Sequence, residues 1–139
     1  MISITFRSGQ KRNFQVSNKN EYYLVNWRAT SNPQIWHPPT DVYERSDSIE
    51  VRVEIAGMTE DDFAISLDKN TLVISGVRQD ASERRTYHQM EIYFGEFLSV
   101  VEIHAPIDAE QVRAEYQNGF LYVILPKTQP KTIEVKEIE

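Results

Sequence analysis

The stretch SIEVRVEIAG constrains this chain more than any other. Ile49, Val51, Val53 and Ile55 fall at every second position, with Glu50, Arg52 and Glu54 between them. Side chains alternate across a β-strand, so this spacing puts the apolar groups on one face and the charges on the other. Such a strand has to bury its apolar face against a second layer. The pattern recurs downstream. Phe63, Ile65 and Leu67 alternate in FAISLDK, and Leu72 and Ile74 do so in TLVISGVR. In FLYVILP, Phe120, Tyr122 and Ile124 oppose Leu121, Val123 and Leu125. In EFLSVVEIHAP, Phe97, Val101 and Ile103 share one parity while Leu98 and Val100 take the other. A strand apolar on both faces is covered on both or lies at an interface.

The connections between these runs are short. Lys69-Asn70 reads as a tight turn with Asn as the left-handed residue, and Asn118-Gly119 is the strongest hairpin signal. Asp108 is placed to cap one helical turn over residues 109–112. Residues 79–95 are the most polar part: QDASERR has almost nothing to bury, and TYHQMEIYF after it has weak strand character. The whole predicts an all-β protein of seven or eight strands, an immunoglobulin-like antiparallel β-sandwich.

Length and charge divide the chain further. Its 139 residues suit one domain with short tails. Residues 1–35 form a mixed polar arm in which Ile2, Ile4 and Phe6 alternate as in a short strand, while 21–29 could be strand or helix. Three prolines in SNPQIWHPPTD mark the way into a body over 36–127. Residues 128–139 are a polar tail, yet Ile133 and Val135 would project together from an extended backbone, two knobs suited to a groove or sheet edge. The net charge is -6, but residues 1–40 carry +4 (Arg7, Lys11, Arg12, Lys19 and Arg28 against Glu21), leaving -10 on the rest. An acidic body repels phosphate backbones, so nucleic acid is not the expected partner. No signal peptide or apolar span is visible, so a cytoplasmic protein without a membrane partner is expected.

Catalytic chemistry finds no foothold. Without cysteine there is no disulfide, thiolate nucleophile or Cys-based metal site. His37, His88 and His104 are far apart and in no metal-binding pattern. The five glycines form no phosphate-binding loop, and no serine sits in a nucleophile elbow. The carboxylates at Glu60-Asp61-Asp62 and at Glu102, Asp108 and Glu110 occupy turns or solvated strand faces. Tyr87 and Tyr116, beside basic residues, read as packing groups rather than nucleobase platforms. A non-enzyme without metal or cofactor is expected, one that works through its surfaces.

Several ordered motifs carry a resemblance. Trp36, Pro38, Asp41, Val42, Tyr43 and Glu44 open the set, followed by Ile55, Gly57 and Met58, with Ala56 where proline is usual. Leu72, Ile74, Gly76 and Arg78 form L-x-I-x-G-x-R; Glu91, Phe94, Gly95 and Phe97 follow. Ala114, Asn118, Gly119, Phe120 and Leu121 come next, then Pro126-Lys127, then Ile133 and Val135 as an I-x-V tail. Over residues 36–135 the chain resembles the small heat-shock protein (Hsp20-like) family, built on the α-crystallin domain. It departs from that pattern at Phe120 (usually valine), Ile92 and Ser99 (often arginine) and His104 (often proline).

The resemblance implies an ATP-independent chaperone that binds unfolding proteins, assembled from dimers into larger homo-oligomers. It implies a dimer built by swapping the loop with Tyr87, Met90, Glu91, Ile92 and Phe94. It implies a tail, Ile133 and Val135, docked in a neighbour's groove lined by Leu72, Ile74, Leu121 and Val123. Client contacts are expected on Phe6, Phe14, Tyr22, Tyr23 and Trp27 of the arm. A p23-like co-chaperone or binding module and a structural assembly protein are the alternatives.

Overall fold

The alternating runs become hairpins because the turns between them allow it. In the computed structural model, which describes residues 2–4, 34–129 and 132–138, Asn118 and Gly119 both adopt positive φ (53° and 82°). That backbone twist matches the twist of the strands it joins, β7 (Arg113–Gln117) and β8 (Phe120–Pro126). The second tight turn differs in detail from expectation. Strands β4 (Phe63–Asp68) and β5 (Thr71–Arg78) are joined at Lys69-Asn70, but the positive φ of 54° falls on Lys69. Asn70 is tied elsewhere: its carbonyl accepts the Ile103 N–H at 2.7 Å, just beyond β6 (Gly95–Glu102).

The remaining strands are β1 (Ile2–Ile4), β2 (Thr40–Glu44) and β3 (Ser48–Glu54). All pair antiparallel in two four-stranded sheets, ordered β1-β4-β5-β6 and β2-β3-β8-β7. The β-sandwich expected from the sequence is thus present, with immunoglobulin-like antiparallel sheets. The alternation in SIEVRVEIAG does what its period requires: Ile49, Val51, Val53 and Ile55 are all buried between the sheets. They meet Ile65, Leu67, Leu72, Ile74, Phe97, Val101 and Ile103 from the other sheet and Leu121, Val123 and Leu125 from their own. Each such side chain contributes roughly 1.5–3 kcal/mol by leaving water, enough in sum for a core without disulfides. On β6 the two parities part company. Leu98 is buried and Val100 is 43% exposed, so the second face of that strand is covered over only part of its length.

Polar ties fix how the sheets sit. Trp36 runs parallel to β6: its N–H donates to Glu96 O (3.1 Å), its carbonyl accepts from Leu98 N (3.0 Å), and its indole Nε1 donates to Gly95 O (3.2 Å). The strap continues to the second sheet, where Pro39 O accepts from Glu54 N at 3.0 Å. The Thr40 hydroxyl meets the buried Ser99 hydroxyl at 2.9 Å. At the opposite side, Tyr116 on β7 packs its ring against Phe63 on β4 (5.1 Å between centroids) and donates its hydroxyl to Ile55 O (2.7 Å). Asp108 caps a single 3-10 turn, Ala109–Gln111, by accepting from Glu110 N at 3.3 Å. A second 3-10 turn, Glu60–Asp62, is closed by the Thr59 N–H on Asp62 Oδ2 (2.7 Å).

Gly76 lies where β4, β5 and β6 converge, paired with Phe63 on one side and Phe97 on the other. A Cβ there would strike the carbonyl oxygen of Asp62 and stand 2.8 Å from the Phe97 ring. Gly76→Ala is therefore expected to destabilise the fold by roughly 1–3 kcal/mol through overpacking, read as a lower urea midpoint with unchanged slope. An unchanged midpoint would refute the close approach.

Candidate interaction surfaces

On one side of the sandwich β4 and β7 face each other, with the Phe63 and Tyr116 rings in contact. The sequence resemblance placed the tail groove on Leu72, Ile74, Leu121 and Val123, but all four are fully buried in the core. The reason lies in strand order. β5 is flanked by β4 and β6, and β8 by β3 and β7, so neither has a free edge and their inward side chains face each other. The outer strands are placed differently. β4 already receives one: β1 pairs along it with Ile2 opposite Leu67, Ser3 opposite Ser66 and Ile4 opposite Ile65. β7 pairs with β8 alone among the described residues. Tyr116 and Phe63, in ring contact, mark the floor where the two outer strands approach.

Residues 79–94 form no strand within the chain. The loop is anchored at its base by Arg78. The Arg78 Nε donates to Tyr93 O at 2.9 Å, a second guanidinium nitrogen donates to the same oxygen, and a third reaches Ala56 O at 3.3 Å. The guanidinium also lies 4.4 Å from the Trp36 ring and 5.2 Å from that of Phe94, a cation held between aromatic faces. Further out, the Asp80 carboxylate accepts from the Tyr87 hydroxyl and from Arg85, both at 2.9 Å. The Tyr87 hydrogen bond, supported by the Ala81 N–H and Arg85, holds the Asp80 carboxyl below its ordinary value; the same bond raises the Tyr87 phenol. Beyond this clasp the apolar groups stand in solvent: Tyr87, Met90, Ile92 and Phe94 are all exposed, and Glu91 accepts from Gln89 at 2.7 Å.

The second sheet ends in another open edge. β2 pairs only with β3 among the described residues, and Val42 stands opposite the fully buried Val51. Directly opposed residues share a face of the sheet, so Val42 is on the core side, yet it is 50% exposed. The tail is open as well. Ile133 is 83% and Val135 93% exposed, so neither knob is seated on its own sandwich. Phe6, Phe14, Tyr22, Tyr23 and Trp27 lie outside the described residues.

Comparison with known proteins matches this arrangement to one family. The pattern of the Hsp20/alpha crystallin family fits residues 41–139. The chain belongs to that family. It is 30% identical to small heat shock protein C4 of Rickettsia felis, over 84% of this chain and 74% of the relative. It is 35% identical to heat shock protein 16 of Schizosaccharomyces pombe, over 66% and 67%. Among solved structures, heat shock protein 16.0 of that yeast superposes with a TM-score of 0.61 at 33% identity, covering 73% of this chain and 99% of the other. A small heat-shock protein from Xylella fastidiosa gives 0.62 at 26%, covering 73% and 98%. Membership in the family makes this chain a chaperone without a catalytic centre.

Within this α-crystallin domain the departures from the family pattern have plain positions. Ser99 is buried against Thr40, Phe120 packs on Tyr122 on the outer sheet face (6.3 Å), and His104 and Ile92 are exposed. No three His, Asp or Glu residues among those described are grouped to hold a metal ion. No helix is long and apolar enough to cross a membrane, among the described residues. Sequence reading passed over the β4 edge, because nothing in FAISLDK marks an outer strand. It matched Arg78 to a motif without the contacts that explain it.

The clasp on Asp80 gives a pH dependence with a definite sign. A carboxyl whose folded-state value is depressed favours the clasped loop above its unfolded value, and that contribution is lost as pH falls through the folded one. In an NMR titration the Asp80 carboxyl should ionise below its ordinary range and return towards it in Tyr87→Phe. Identical titrations in the two proteins would show that the hydroxyl contributes nothing.

Proposed function

We propose that this protein is an ATP-independent holdase whose dimers assemble into larger homo-oligomers and bind unfolding proteins. One observation carries the reading: apolar groups stand uncovered at three separate places, on the loop (Tyr87, Met90, Ile92), at the β2 edge (Val42) and on the tail (Ile133, Val135). A chain acting alone gains nothing from leaving them in water, whereas copies of the chain can cover one another. The loop of one subunit suits the β2 edge of its partner, where β2 pairs with β3 alone among the described residues and Val42 lies half-exposed. The arrangement is reciprocal, as a two-fold contact requires. The tail of a neighbouring dimer suits the outer-strand groove between β4 and β7, in place of the buried positions first expected. Two aliphatic knobs make a weak contact singly and a strong, exchangeable one in number. Client contacts are assigned to Phe6, Phe14, Tyr22, Tyr23 and Trp27. The family match runs through the tail to residue 139, a segment for which the p23-like reading has no role.

Without ATP, an excess of the protein should suppress light scattering from a thermally unfolding client enzyme. Equal scattering with and without it, at several temperatures, would reject the holdase reading in favour of a scaffold. By sedimentation velocity, the wild type should be larger than a dimer and Ile133→Ala/Val135→Ala should shift towards dimers. An unchanged size distribution would reject tail docking.

A further inference from the structure

The outer edge of β4 is already filled by a segment built like the tail. Ile2-Ser3-Ile4 has the same spacing as Ile133-Glu134-Val135: two β-branched aliphatics separated by one polar residue. It runs antiparallel to β4, with Ile2 and Ile4 at the register positions opposite Leu67 and Ile65, both buried core residues. The second such segment, meanwhile, stands exposed. We infer that β1 is a displaceable occupant of the tail-docking edge, so that each subunit's own Ile2–Ile4 competes there with Ile133–Val135 of a second copy. The inference rests on the tail-docking reading above and adds to it a built-in competitor.

Physical considerations favour exchange over a permanent strand. β1 spans three residues, against eight each in the β5–β6 pair. An edge strand of that length opens at far lower cost than the sandwich unfolds. Being tethered through residues 5–33, it also rebinds at an effective concentration that a neighbour's tail has to exceed. An edge cannot hold both, since one row of N–H and C=O groups pairs with one added strand. Because Phe6 and the other proposed client-contacting aromatics follow β1 in sequence, seating a tail would release the segment leading into them. Assembly and client capture are then linked through one strand edge.

The test uses full-length Ile133→Ala/Val135→Ala, whose own tails cannot compete, and a fluorescein-labelled peptide with the sequence of residues 128–139. Binding is compared with that to a protein additionally carrying Ile2→Ser/Ile4→Ser. If β1 fills the edge about nine-tenths of the time, emptying it should tighten peptide binding about tenfold. In the first protein, saturating peptide should also speed hydrogen exchange at residues 2–4 while the core strands stay protected. Equal affinity for the two proteins, or unchanged exchange at residues 2–4 under saturation, overturns the competition and leaves tail docking standing. Failure of the peptide to bind either protein overturns tail docking, and this inference with it.

Discussion

An unpaired strand edge is the feature on which the rest of this structure depends. A two-sheet sandwich does not close on itself, so each sheet ends in rows of N–H and C=O groups that need partners or water. Here the edges are treated differently. The outer side of β6 is sealed by Trp36 and the Pro-rich strap, which then crosses to β3. β4 is covered by the three residues of β1. β2 is left with charge and a half-exposed valine: Asp41 pairs with Arg52 across the hairpin, and Lys127 reaches Glu44. Exposed ion pairs of this kind add little stability, but they keep the edge hydrated. A chaperone that works by assembling needs edges that are safe alone and still available.

The core makes that economy of cover possible. The two inner faces supply enough buried aliphatic and aromatic surface to hold the sheets together without covalent links. Aromatic contacts fix both sides: Trp36 against Phe97 near β6, and Phe63 against Tyr116 near β7. Arg78 extends the order outward. It lies between the Trp36 and Phe94 rings and donates to the backbone at Ala56 and Tyr93. The base of the loop is thus fixed while its apolar tip stays exposed.

Much of this was legible in the residues. The alternation in SIEVRVEIAG assigned Ile49, Val51, Val53 and Ile55 to the core correctly, and Asn118-Gly119 marked its hairpin. That the residues first expected to line the tail groove are fully buried has a physical reason. Leu72, Ile74, Leu121 and Val123 alternate as Ile65 and Leu67 do, and a period of two is the same in a central strand as in an outer one. Likewise, Leu98 and Val100 look equivalent in sequence, yet one is buried and the other half-exposed. The turn at Lys69-Asn70 has its positive φ on lysine, and the Asn70 carbonyl is bound by Ile103, a partner distant in the chain.

By itself, then, the sequence determined which side chains share a face, where the chain turns, that no cysteine is available, and which segments have too little to bury. These follow from local geometry: the pleat alternates side chains, and only certain residues accept a left-handed turn. The tertiary structure alone decided which strands are outermost, what covers each edge, and that Ile2–Ile4 lies along β4. Those outcomes depend on pairing between residues far apart in the chain, where the free energy of burying two faces together selects one strand order among several that the same alternation allows.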